Sequence, residues 1–185
     1  MKGDKTVYTT INNNEKECLT VLISGNAAGV IAPPMILFRY KQLPAEICKN
    51  IPSHWGVGCS ETGWMTCETF YSYITNIFYP WLKQQNITLP IILFVDGHSS
   101  HMSLHFSNVC QQSGIILVSL YPNSTHITQP MDVAIFRTLK TGLKKSVFSW
   151  RLENQSGFLT RVDCAPLLKS TIKSRITPEI LQNGF

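Results

Sequence analysis

No apolar run in these 185 residues approaches the eighteen or more that a membrane helix needs. The polar start Met-Lys-Gly-Asp-Lys carries no secretory core either. The six cysteines show no CxxC and no close Cys/His pairing, so they read as reduced, mostly buried thiols. Ser99 and Ser100 lack the G-x-S-x-G spacing of a nucleophile elbow, which argues against a serine hydrolase. There is no internal repeat and no low-complexity tract. Charged residues are sparse, 15% against 44% hydrophobic, and that balance excludes a disordered chain. What remains is a soluble, intracellular protein with no membrane partner, of one domain's length and able to bury a core.

Positive charge is present and unevenly placed. Residues 1–136 hold 7 Lys/Arg and 8 Asp/Glu, whereas residues 137–185 hold 9 Lys/Arg and 3 Asp/Glu. The C-terminal zone suits phosphates, with Arg137, Lys140, Lys144, Lys145 and Arg151 as candidate contacts to nucleic acid. A solvated helical face is the plainer reading of the same residues.

Periodicity sets an α/β order. Thr6–Ile11, Cys18–Ser24 and the MILF run ending near Tyr40 read as three strands of an antiparallel meander. From Lys41 to Trp64, Pro44, Pro52, Gly56, Gly58 and Gly63 break any period, so the segment reads as irregular, with Trp55 and Trp64 as packing anchors. Thr66 caps a helix over Cys67–Gln85 whose buried face is Phe70, Ile74, Ile77, Phe78 and Trp81, and Pro80 predicts a kink. Ile91–Val95 is a strand, Met102–Gln112 a helix and Ile115–Tyr121 a strand, together a right-handed βαβ unit. A long helix starts at Met131 with Phe136, Leu139, Leu143, Val147 and Trp150 inward. Two helices follow, opened by Thr160-x-x-Asp163 and by Thr177-Pro178-Glu179.

Two aspartates stand at special points of this order. Asp96 closes the strand Ile91–Val95, and Asp132 rides in the first turn of the long helix. Singly, the first reads as an Asx-turn residue and the second as a partner of the helix dipole. As a pair on adjacent βα elements they are hard oxygen donors suited to Mg2+ or Mn2+ in phosphoryl transfer. His98, His101 and His105 share a helical spacing that suggests zinc, or else a supporting role for His98 beside phosphate. Asn123, Ser124, Thr125, His126 and Gln129 form a polar loop before Asp132, either an ordinary connection or a substrate-contacting one.

Several stretches carry a resemblance to a known family. FVDGHSSH, LYPNSTHITQPMDVAIFRTLK, ISGNAAGVIAPPMILF, GWMT before a long helix, and FSWRLENQSGFLTRVDCAPLL occur in order along nearly the whole chain. They resemble the DDE-type endonuclease domain of pogo/Tigger-like transposases. The resemblance implies a ribonuclease H-like mixed sheet flanked by helices, with C-terminal basic helices. It also implies DNA as partner, strand cleavage and joining, two divalent ions (Mg2+ or Mn2+), and a nuclear location.

Asp96 matches the second acid of the family's triad and Asp132 the third. His98, Asn123, Thr125, His126 and Gln129 fall where the substrate would lie. Ser124 departs from the family's usual PNTT. The first acid belongs to a central strand upstream of the segment matching Lys2–Tyr8, so the expectation is a piece or decayed copy with that strand missing and catalysis impaired. The division expected is a DDE domain over residues 1–152 and a helical extension over 153–185, with homo-oligomerisation left open. The alternative is a domesticated nuclear module that binds DNA or a partner without catalysis.

Overall fold

In a computed structural model of the chain, the described residues are 19–96, 104–120, 131–155 and 157–185, without the side chains of Leu104, His105 and Val133. The expected strand Thr6–Ile11 lies outside them. Strand β1 (Thr20–Leu22) pairs antiparallel with β2 (Met35–Arg39), as a meander requires. Met35 through Phe38 are all buried, which marks β2 as a strand covered on both faces. Its alternation feeds two cores. Ile36 and Phe38 enter one with Ile23, Trp55, Ile135, Leu139, Leu168 and Leu181. Met35 and Leu37 enter the other with Phe70, Tyr73, Ile74, Phe78, Phe106 and Ile115.

The segment expected to be irregular holds a short helix, α1 (Ala45–Lys49), and a strand, β3 (Gly56–Ser60), parallel to β2. The glycines counted as breakers are what lets β3 form. A Cβ on Gly56 would stand 2.9 Å from Met35 Cγ, and one on Gly58 2.7 Å from Met35 Cε. Trp55 is the anchor expected, whereas Trp64 is 63% exposed. The cysteines also depart from expectation. Among the described residues Cys110 is buried, Cys48 and Cys67 are exposed, and Cys59 and Cys164 lie between.

Thr66 caps α2 (Cys67–Tyr73), its hydroxyl accepting from Thr69 N–H at 3.2 Å. The helix continues through a π-helical turn, Ile74–Phe78, into α3 (Tyr79–Gln84). Pro80 has no N–H, and its ring would press on the carbonyl four residues back, so a widened turn ahead of it relieves the clash. Strand β4 (Ile91–Val95), helix α4 (Leu104–Gln112) and strand β5 (Ile115–Ser119) form the parallel βαβ unit predicted from the sequence.

A second π turn, Met131–Phe136, opens the long helix and runs into α5 (Arg137–Glu153). Helices α6 (Arg161–Arg175) and α7 (Pro178–Gln182) close the chain. At the start of α6, Thr160 N–H donates to the Asp163 carboxylate at 2.9 Å, and the Thr160 hydroxyl donates to it as well. Asp therefore serves the role usually taken by Glu.

The result is a mixed α/β fold of small sheets flanked by helices, consistent with a ribonuclease H-like architecture. The β1–β2–β3 and β4–β5 sheets are not hydrogen-bonded to each other among the described residues.

Candidate metal and nucleic-acid site

Asp96 is placed by the pairing of β4 with β5. Their register matches Val95 to Ser119, and Leu120 N–H donates to Val95 O at 2.8 Å, so both strands end together. Asp96, half-buried, thus stands at the carboxyl edge where open α/β sheets bind ligands. The chain leaving β5 at this edge is the connection that leads to Met131 and Asp132.

Asp132 occupies the second position of the π turn before α5 and is half-buried. The turn is anchored by Ile135, wholly buried in the core that also holds Leu181. Met131 reaches toward β1's end, with its Sδ 3.6 Å from where a Cβ on Gly25 would be. The π geometry re-aims side chains relative to an α turn, and such turns recur at functional sites. Sequence spacing predicted a helical first turn here and gave no signal of the widened one.

Asp96 therefore stands at the carboxyl end of β4, and Asp132 in a turn whose Ile135 packs into the core shared with Ile36 and Phe38. Among the described residues, no group of three His, Cys, Asp or Glu comes together to hold an ion. His98, His101, Asn123, Thr125, His126 and Gln129 lie outside the described residues, as does the side chain of His105.

The basic candidates line α5. Arg137, Lys140, Lys144 and Lys145 are exposed and Arg151 is half-buried, while Leu139 and Gly142 point inward. Arg161 lies over the Tyr40 ring at 4.1 Å, so its charge is committed to a cation–π contact. A cleft of about 240 Å³ between α5 and α6 is lined by Arg137, Thr138, Thr141, Gly142, Lys145 and Arg175. The last of these was not among the sequence candidates. A larger cleft of about 690 Å³, with Pro33, Pro34, His54, Trp55 and Trp81 in its walls, includes neither aspartate.

Comparison with known proteins decides the family. The DDE superfamily endonuclease family matches residues 16–185. The chain belongs to the DDE superfamily endonucleases. Endonucleases of this superfamily generally use divalent metal ions. Asp96 and Asp132 carry hard carboxylate oxygens, the donor type that such a metal takes.

The DDE domain is also 25% identical over 176 residues to a protein of Cochliobolus lunatus named MFS-type transporter clz9. That match takes in 95% of the chain and 19% of the fungal protein, so the chain spans about a fifth of that relative's length. No helix among the described residues is long and apolar enough to cross a membrane. No solved structure matches the chain.

Proposed function

We propose that this DDE domain acts on DNA in the manner of pogo/Tigger-like transposases, in the nucleus, with Asp96 and Asp132 as two of its metal-holding acids. The observation carrying this reading is the position of Asp96 at the shared carboxyl edge of β4 and β5, from which the chain leads to Asp132. A divalent ion held there would supply positive charge to a phosphoryl oxygen and lower the barrier to displacement. Asp96 and Asp132 would each contribute carboxylate oxygen to that ion. His98, Asn123, Thr125, His126 and Gln129 would contact the substrate. Arg137, Lys140, Lys144, Lys145 and Arg151 would bind the phosphate backbone from α5.

A second reading, a nuclear module that binds DNA without cutting it, is favoured by the exposed Arg137, Lys140, Lys144 and Lys145 on α5.

Supercoiled plasmid incubated with the purified chain and Mg2+ or Mn2+ separates the two. Nicking lowered at least about a hundredfold by Asp96→Ala and by Asp132→Ala supports the catalytic role. Salt-dependent DNA binding, with nicking identical in all three proteins, assigns the binding module instead. If neither DNA nor Mn2+ shifts the melting temperature, both readings fall.

A further inference from the structure

We propose that the cleft between α5 and α6 is a phosphate site that seats the DNA backbone, with Arg175 as its recognition group. The proposal rests on the DNA reading above and adds a defined site to it.

The cleft follows from how the two helices meet. A Cβ on Gly142 would lie 2.8 Å from Arg175 Cγ and 3.0 Å from Thr171 Cγ2. Only a residue without a side chain lets α6 approach α5 this closely. One turn along, Ser146 Oγ and Thr171 Oγ1 share a hydrogen bond of 2.8 Å. These two contacts fix an antiparallel hairpin in which the end of α6 lies beside the beginning of α5. The Arg175 stem therefore crosses Gly142, and its guanidinium joins Arg137 and Lys145, which recur at i and i+8 on α5.

Three cations then face a cleft of about 240 Å³ with no carboxylate in its walls. Among the described residues no ion pair engages Arg137, Lys145 or Arg175. The volume corresponds to roughly eight waters at ~30 Å³ each, room for a hydrated phosphate group. Thr138 and Thr141 shape the walls without supplying donors, because their hydroxyls already donate to Ala134 O at 3.1 Å and Arg137 O at 2.9 Å. Recognition falls to the cations. Arg175 matters most because a guanidinium forks onto two phosphate oxygens at once.

The test compares Arg175→Met, which keeps the stem over Gly142, with Lys173→Met, the same charge loss on an exposed residue of α6 outside the cleft. Duplex DNA binding by the full chain is read by fluorescence anisotropy across a salt series. In parallel, inorganic phosphate is titrated at constant ionic strength and followed by NMR of arginine Nε–H signals. We expect Arg175→Met to weaken DNA binding about tenfold and to lower the salt slope by about 1, with Lys173→Met within about twofold of wild type. Equal losses in the two variants, or no loss in Arg175→Met while wild type binds DNA, overturn the site and leave the DNA reading standing. Phosphate binding that Arg175→Met abolishes, in a chain that ignores DNA, leaves an anion cleft but overturns its seating of DNA and ends the DNA reading. Absence of both binding signals ends both.

Discussion

Tyr73 illustrates how a single side chain can be held by burial and one bond. It is 1% exposed, and its hydroxyl donates to Pro33 O at 3.0 Å. Burial pushes its pKa up to about 12, with a hydrogen bond to Ser24 pulling in the other direction. The neutral phenol is thus the folded form. Its contribution is intact below the ordinary value of 10 and is lost as pH rises from about 10 to about 12. Chemical denaturation at pH 9 and pH 12 should show an alkaline loss on the order of 2–3 kcal/mol that Tyr73→Phe lacks. At neutral pH the same variant should be less stable by about 1–3 kcal/mol, since Pro33 O loses its buried donor. Asp96 and Asp132 differ from Tyr73 in kind. Both are half-buried and stand at chain positions that the sequence already marked, a strand end and a helix beginning.

At the scale of elements, strong periods were readable and glycine-rich stretches were not. The strands Ile91–Val95 and Ile115–Ser119 and the helix between them follow from apolar runs and polar breaks alone, because each buries one face locally. Strand β3 was invisible because its reason lies elsewhere in the chain, in the Met35 side chain that fills the space above Gly56 and Gly58. Local strand preference makes alanine no worse than glycine at position 56. The tertiary contact predicts the opposite. A Cβ there would also stand 3.0 Å from Met35 Cβ, an atom that cannot swing away. Gly56→Ala should lower stability by about 1–3 kcal/mol in urea unfolding, with a smaller loss in a Met35→Ala background. A neutral or stabilising result would mean that β3 does not pack as described. The π turn at Ile74–Phe78 belongs to the same lesson. Pro80 announced a disturbance, and the backbone met it by widening the preceding turn.

Across the whole molecule, the C-terminal helices are part of the main core. Ala165, Leu168, Ile176 and Leu181 are buried with Ile36 and Phe38 of the first sheet and with Ile23 just after β1, and α6 also packs on α1. Leu168, Ile176 and Leu181 each contribute roughly 1.5–3 kcal/mol by burial, a large share of a domain's net stability of about 5–15 kcal/mol. A chain ending at residue 158 should therefore lose cooperative thermal unfolding and bind a hydrophobic dye at 25 °C. Retention of a sharp transition would show that the first 158 residues form a separate unit. Helix α6 also carries Lys169, Lys173 and Arg175, all exposed, so one packing arrangement both completes the core and presents cations to solvent.

The sequence by itself determined the order of most elements, the two marked aspartates and the basic C-terminal zone, because periodicity, strand ends and charge are local properties. Tertiary structure alone decided that β2 serves two cores, that Gly56 and Gly58 make a strand, and that Arg175 meets Arg137 and Lys145. Each of these depends on close approach between residues far apart in the chain, in the last two cases at a distance set by an absent Cβ, and no local pattern encodes that distance.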